Sequence, residues 1–308
     1  HHFSFTLIDE KGKKHNLFAP AHPEKDYLSP LGYGALMGLM KHYNLINPFI
    51  SSNLDALKRL KPGFEAPVST VFSMGKTVTN PTRNRSVLLC VIRDLHAPQS
   101  YRFELRSPNP GSNSYLLAGA THLAMADGMG YAIAKDSSDL LEELNKKAGD
   151  PATYLRKDRQ YRDEDDIYSL YTEAERNARF GPCPQTVYDI YLLFREEDAS
   201  LLTKAEVFTD RIIESYLAYM LDYWLLEVRG RLIPEESQIL RSLCPLHQDE
   251  LEAGLDEAIW NQIQKERLLL MKDTPSRKSL MTELSEACLD KDPVLVSRLQ
   301  YDLQQRVY

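Results

Sequence analysis

The order of apolar and polar positions divides the chain into a strand-bearing beginning and a long helical remainder. Phe3, Phe5 and Leu7 alternate with His2, Ser4 and Thr6, which predicts a strand over residues 2–8 closed by the turn Asp9-Glu10-Lys11-Gly12. Leu36, Leu39, Met40 and Tyr43 recur at helical spacing behind Ser29-Pro30, a capping residue followed by a proline suited to the first turn, so residues 28–44 read as a buried helix. Gly32, Gly34 and Gly38 lower its propensity, and close packing against a sheet would account for them. Strands are expected over 68–74, 86–92 and 101–106, with 75–82 an inserted loop between the first two. An Ala-, Leu- and Met-rich helix over 114–133 should lie under the sheet, followed by a short amphipathic helix over 138–147. Residues 156–166 carry charges of both signs and read as a solvated linker. Val207-Phe208-Thr209-Asp210 precedes a helix over 211–231, capped by Thr209 or Asp210, with Ile212, Ile213, Tyr216, Met220, Tyr223 and Trp224 on one face. Beyond Pro234, segments 235–243, 248–271, 276–289 and 293–306 are all helical in pattern.

Composition narrows the function classes. A net charge of -7 and a pI of about 5.7 supply no basic face for phosphate contacts along a nucleic acid. Cys90, Cys183, Cys244 and Cys288 are widely spaced without a CxxC, which fits a reducing cytoplasm. No apolar run reaches the length of a membrane span. A soluble cytoplasmic enzyme is expected, with 308 residues a prior for two domains. The first residue, His1, is not a methionine, so the chain is read as a piece of a longer protein, and His1-His2 could be the stub of a tag.

Candidate chemistry concentrates in two places. Lys58-Arg59-Leu60-Lys61-Pro62-Gly63-Phe64-Glu65-Ala66-Pro67-Val68 places one carboxylate on a constrained Pro-Gly turn among three cations. That arrangement suits an anionic substrate and a proton acceptor, and equally a solvated surface turn. Arg102, Glu104 and Arg106 share one strand face by period two, either as a site or as a salt-bridge ladder. His42 has no second ligand at helical spacing and reads as a packed or surface histidine.

These stretches occur in a particular order: K-R-L-K-P-G-F-E-A-P-V at 58–68, Asn84-Arg85-Ser86, Arg102 to Arg106 with Pro108-Asn109-Pro110, Asn113-Ser114-Tyr115-Leu116, then Asp127-Gly128. Together they resemble the C-terminal catalytic half of glutamine synthetase, well over residues 1–134 and more faintly to about 231. The resemblance implies an α+β fold, an antiparallel-rich sheet backed by helices, followed by an all-helical appendix. It suggests divisions at 1–134, 135–231 and 232–308. It implies ATP-driven joining of ammonia to the γ-carboxylate of glutamate through a γ-glutamyl phosphate, with Mg2+ or Mn2+ and a ring-type homo-oligomer for the full-length protein.

Residue by residue, Arg59 and Arg106 match glutamate-holding arginines, and Arg85 and Arg102 match arginines around the nucleotide phosphates. His2 and Ser4 match positions beside the nucleotide, Glu104 a metal carboxylate, and Glu65 the flap carboxylate that takes a proton from ammonium. The metal histidine of the family falls just before His1, or on His1 in a shifted register. Tyr168 stands where some relatives are adenylylated, although an ordinary packing tyrosine explains it as well. Cys90 and Gln99 replace a family arginine and lysine, and Arg93, the nearest substitute, has the wrong parity for the same face. Those departures leave room for a γ-glutamyl ligase acting on another amine, or for a non-catalytic relative. Lacking the upstream half and its metal carboxylates, the fragment alone is expected to form negligible γ-glutamyl phosphate.

Overall fold

Tyr101, Phe103 and Leu105 are fully buried while Arg102, Glu104 and Arg106 are half-buried, the alternation of a strand with one apolar face. The computed structural model describes residues 1–59, 70–245 and 253–307. Within them the strands are β1 (His2–Phe3), β2 (Thr6–Ile8), β3 (Lys14–Asn16), β4 (Phe72–Ser73), β5 (Leu89–Ile92) and β6 (Arg102–Leu105). One sheet has the order β1-β6-β5-β4, antiparallel except for the parallel β4–β5 pair, and β2–β3 form a separate hairpin. The strand expected over 2–8 is therefore broken at Ser4-Phe5. Thr6, Leu7 and Ile8 are exposed on both faces and pair with β3, so nothing holds them to the register of β1.

The chain forms two compact units, His1–Pro184 with Ile190–Ile213, and Gln185–Asp189 with Glu214–Tyr308. In the first, α1 (Pro30–Lys41) is capped by the Ser29 hydroxyl, which accepts the Gly32 N–H at 3.0 Å. Three short turns follow, α2 (Tyr43–Ile46), α3 (Pro48–Ser51) and α4 (Leu54–Arg59). The long α5 (Ser114–Ala132) starts where the Asn113 side chain accepts the N–H groups of Tyr115 and Leu116. Its His122 ring meets Phe3 and Phe5 edge-on, which places the helix against the sheet's apolar side. Gly34 and Gly38 of α1 serve α5 rather than the sheet, whereas Gly32 lies against the backbone of Phe18. A Cβ on Gly38 would lie 2.0 Å from the Ala124 carbonyl oxygen, and one on Gly128 would lie 2.0 Å from that of Gly34. Two backbones touch there, and only glycine permits it.

The segment expected to be a solvated linker is built into the sheet. The Phe72 N–H donates to Tyr161 O at 2.7 Å and the Asp163 N–H to Phe72 O at 3.1 Å, adding a parallel bridge outside β4. Tyr161 is fully buried, and Arg159 and Gln160 nearly so. Glu164 accepts from the Ser73 hydroxyl, from the N–H groups of Met74 and Gly75 at 3.1 and 2.7 Å, and from Arg162 Nε at 2.6 Å. Gly75, at φ +100, can turn there without strain. Arg93 is also interior, 4 % exposed, and its guanidinium donates to the carbonyls of Met74, Thr77, Val78 and Asn80. It holds the 75–82 loop and is not a substitute on the Cys90 face.

The unit is completed by α6 (Ser137–Leu144), α7 (Ile167–Leu170), α8 (Glu173–Phe180), all of α9 (Val187–Arg195) after Asp189, α10 (Ser200–Thr203) and the start of α11 (Asp210–Glu227). Tyr168 packs half-buried beside a cluster of Val71, Val87, Cys90, Ile167 and Phe180, under the Arg176 guanidinium. Thr209 Oγ1 accepts the Ile212 N–H and caps α11, whose sealed stripe is Ile213, Leu217, Met220 and Trp224. Ile212 and Tyr223 lie outside that stripe, at 42 % and 41 % exposure, so the single face expected from the sequence is too wide.

In the second unit α11 runs through a wide turn at Val228–Leu232, where the Ile233 N–H reaches back to Val228 O, into α12 (Ile233–Ser242) with Pro234 in its first turn. Helices α13 (Ala253–Met271), α14 (Leu280–Leu289) and α15 (Pro293–Val307) follow, close to the expected segments. Trp224 Nε1 donates to Gln300 Oε1 at 2.8 Å inside this bundle. Among the described residues no helix is long and apolar enough to cross a membrane.

Candidate active site

Cross-strand pairing carries side chains of the same face into rows. His2 pairs with Glu104, Glu104 with Cys90, and Cys90 with Ser73, so these four form one row across the sheet, opposite the buried Phe3, Phe103 and Val91. Period two places Arg102 and Arg106 on either side of Glu104 on that face. Arg102 Nε donates to His2 Nδ1 at 3.0 Å and Nη1 to Ser100 O at 2.8 Å. Accepting at Nδ1 requires neutral His2 to carry its proton on Nε2. Burial lowers the His2 pKa from 6.5, and Arg102 adds to the shift against the pull of Glu104. Arg106 Nη2 lies 3.6 Å from Glu104 Oε2, and its Nη1 donates to the Arg85 carbonyl at 3.2 Å. The Arg85 side chain is exposed, as is Ser4 between β1 and β2.

Two expected residues are not placed on this face. Glu65 lies outside the described residues, and Arg59 is known only as the last residue of α4, its side chain undescribed. Gln99, at the position of a family lysine, turns to the hairpin, where its Nε2 donates to Lys14 O at 2.8 Å. Cys90 is 2 % exposed. Burial pushes its thiol up to about 11 against the opposing pull of Arg106, so it is a neutral donor, and Sγ sits 3.0 Å from Asn84 O.

Asp127 is elsewhere. It accepts from His42 Nε2 at 2.8 Å and from the Tyr154 hydroxyl at 2.6 Å, at the edge of a depression of about 360 Å3 also lined by Lys41, Arg156, Glu197 and Lys204. Lys41 stands 3.9 Å above the Tyr154 ring. Sequence reading missed this trio because its members are up to 112 positions apart. The Glu164 network was missed for the same reason, although the alternation of Arg162 and Glu164 about Asp163 is a strand signal within the charged run.

Burial lowers the His42 pKa, only partly offset by its bond to Asp127. For Asp127 burial acts upward, but the Tyr154 and His42 bonds outweigh it and the net shift is downward. Both signs agree: the unfolded chain takes up protons more readily than the native one. Stability contributed by neutral His42 is complete above its ordinary 6.5 and is lost as pH falls from there through the lower folded value. Urea midpoints of the wild type are therefore expected to drop between about pH 7 and pH 5 more steeply than those of His42→Gln, which cannot titrate. Parallel curves would show that His42 does not set this dependence.

A family model described as glutamine synthetase, catalytic domain, matches residues 1–147. The chain is 28 % identical over 202 residues to a glutamine synthetase of Streptomyces filamentosus, covering 66 % of this chain and 36 % of that one. It is 30 % identical over 182 residues to one of Methylococcus capsulatus, covering 58 % and 31 %. The chain thus spans about a third of the length of these curated relatives. A solved glutamine synthetase of Plasmodium falciparum aligns with a TM-score of 0.46 at 18 % identity, over 71 % of this chain and 42 % of that one.

Proposed function

We propose, from the match of residues 1–147 to the glutamine synthetase catalytic-domain model, that the chain belongs to that family and supplies one wall of a site joining ammonia to the γ-carboxylate of glutamate with ATP. The intermediate is a γ-glutamyl phosphate. The observation that supports this reading is the face bearing Arg102, Glu104 and Arg106 on one strand, with the backbone of Arg85 bonded to it. Arg106 and Arg59 receive carboxylates of glutamate, for which planar guanidinium groups form paired bonds. Arg102 and Arg85 face nucleotide phosphates, with His2 and Ser4 beside the nucleotide, and disperse charge as the phosphoryl group moves. Glu65 takes the proton from ammonium and shields the intermediate.

Of the ligands for the magnesium or manganese ion that the family implies, this face supplies one candidate. Glu104 offers one carboxylate, its charge shared with Arg106, and among the described residues no three His, Cys, Asp or Glu side chains converge. Glu104 is the residue of this face that would hold the ion, and its carboxylate, 3.6 Å from Arg106 Nη2, also orients that guanidinium.

A second reading, a relative that binds without catalysing, is favoured by Cys90 and Gln99, whose replacement of two cations thins the positive charge on this face. Ligand titrations separate the readings in part. With ATP and glutamate added separately to the purified chain, Arg106→Ala should weaken glutamate about tenfold or more and ATP by less, through its bond to the Arg85 carbonyl, and Arg102→Ala should weaken ATP about tenfold or more and leave glutamate nearly unchanged. Folded protein that binds neither ligand, or variants that change neither affinity, would refute the assignment. ATP binding lost in the wild type while glutamate binding persists would favour the second reading.

A further inference from the structure

Arg85 is an exposed residue on a loop, yet both peptide groups flanking its Cα are tied to the sheet. The carbonyl of Asn84, in the peptide before it, lies 3.0 Å from the Cys90 thiol. The carbonyl of Arg85 itself, in the peptide after it, accepts from Arg106 Nη1 at 3.2 Å. The N–H of that second peptide, on Ser86, donates to Asn84 Oδ1 at 2.8 Å. Asn84 is in turn fixed, its N–H donating to Thr82 Oγ1 at 3.1 Å and its Nδ2 to Asp165 O at 2.7 Å. Because a residue has only two soft backbone dihedrals, pinning the peptide planes on either side sets φ and ψ, and with them the direction in which its side chain leaves the loop.

We propose that Cys90 is a positioning residue for Arg85, acting with Asn84 and Arg106 to fix the backbone from which the Arg85 side chain leaves the loop. Where the resemblance leads one to expect a cation, this chain places a neutral donor that organises a cation five residues earlier. A buried thiol suits the task because it is small enough for the interior beside Val71, Val87, Ile167 and Phe180 and remains protonated there. The functional consequence rests on the reading of Arg85 as a residue facing nucleotide phosphate. The clamp itself does not.

The test compares Cys90→Ala, Cys90→Ser, Asn84→Ala and Arg85→Ala in the full chain, by backbone amide spectra and by ATP titration. Cys90→Ala should shift the Arg85 and Ser86 amides, lower their heteronuclear NOE, and weaken ATP about threefold to tenfold, the scale of one modest hydrogen bond. Cys90→Ser, which keeps a donor, should restore both, and Asn84→Ala should reproduce the loss with Cys90 intact. If Cys90→Ala does not fold, Asn84→Ala and Cys90→Ser carry the comparison. Amides of Cys90→Ala that superimpose on the wild type, or a serine variant as disturbed as the alanine one, would overturn the proposal. Amides that move as described while Arg85→Ala leaves ATP affinity unchanged would uphold the clamp and remove Arg85 from the nucleotide site.

Discussion

Gly38→Val is expected to abolish stable folding or to reduce stability by more than about 3 kcal/mol, at the upper end of overpacking costs. The reason is geometric. The added Cβ would lie 2.0 Å from the Ala124 carbonyl oxygen and 2.9 Å from its carbon, and backbone cannot swing aside as a flexible side chain does. Relief requires α1 and α5 to separate, which opens the packing of Leu36, Leu39, Met40 and Met125, all buried. Gly130 is the internal control, being on α5 with nothing within 4 Å of its built Cβ. Gly130→Ala should stabilise the chain by about 0.5–1 kcal/mol through helix propensity. Urea unfolding followed by circular dichroism measures both, and a Gly38→Val chain as stable as the wild type would contradict the crossing.

Glu164→Ala should cost about 3–5 kcal/mol, the usual result of leaving a buried charge without its partner. The carboxylate and Arg162 are 14 % and 15 % exposed, and the bond between them is 2.6 Å. Removing Glu164 leaves the guanidinium uncompensated and strips the acceptor from Met74 and Gly75. Asp165→Ala, which breaks only the exposed ion pair to Lys76, should produce no measurable change. Equal losses for the two variants would show that Glu164 is no more than a surface charge.

The contrast between those neighbours explains what sequence reading achieved. Helices α12 to α15 were legible because amphipathic periodicity is a local property, and the two faces of β6 were legible because period two is. The same parity correctly kept Arg93 off the Cys90 face. Residues 156–166 were misread because their charges look solvated until the partners are known, and the backbone donors to Glu164 lie about ninety residues back in the chain. The glycines of α1 announced a close approach without saying what approaches. The candidate face was half legible: motif order singled out Arg85, Arg102, Glu104 and Arg106 as candidates, but only pairing across strands reveals that Cys90 stands in the same row as Glu104 and bonds the Asn84 carbonyl.

Substrates are expected to land on this sheet face. Titrating ATP and glutamate while following every backbone amide tests it most directly, because the Asp127 depression is a competing location in the same unit. The predicted result is shifts at Arg85, Leu89 to Ile92 and Arg102 to Arg106, with Lys41, His42 and Asp127 unmoved. Shifts confined to Lys41, His42, Asp127 and Lys204, or no shifts at saturating ligand, would contradict it.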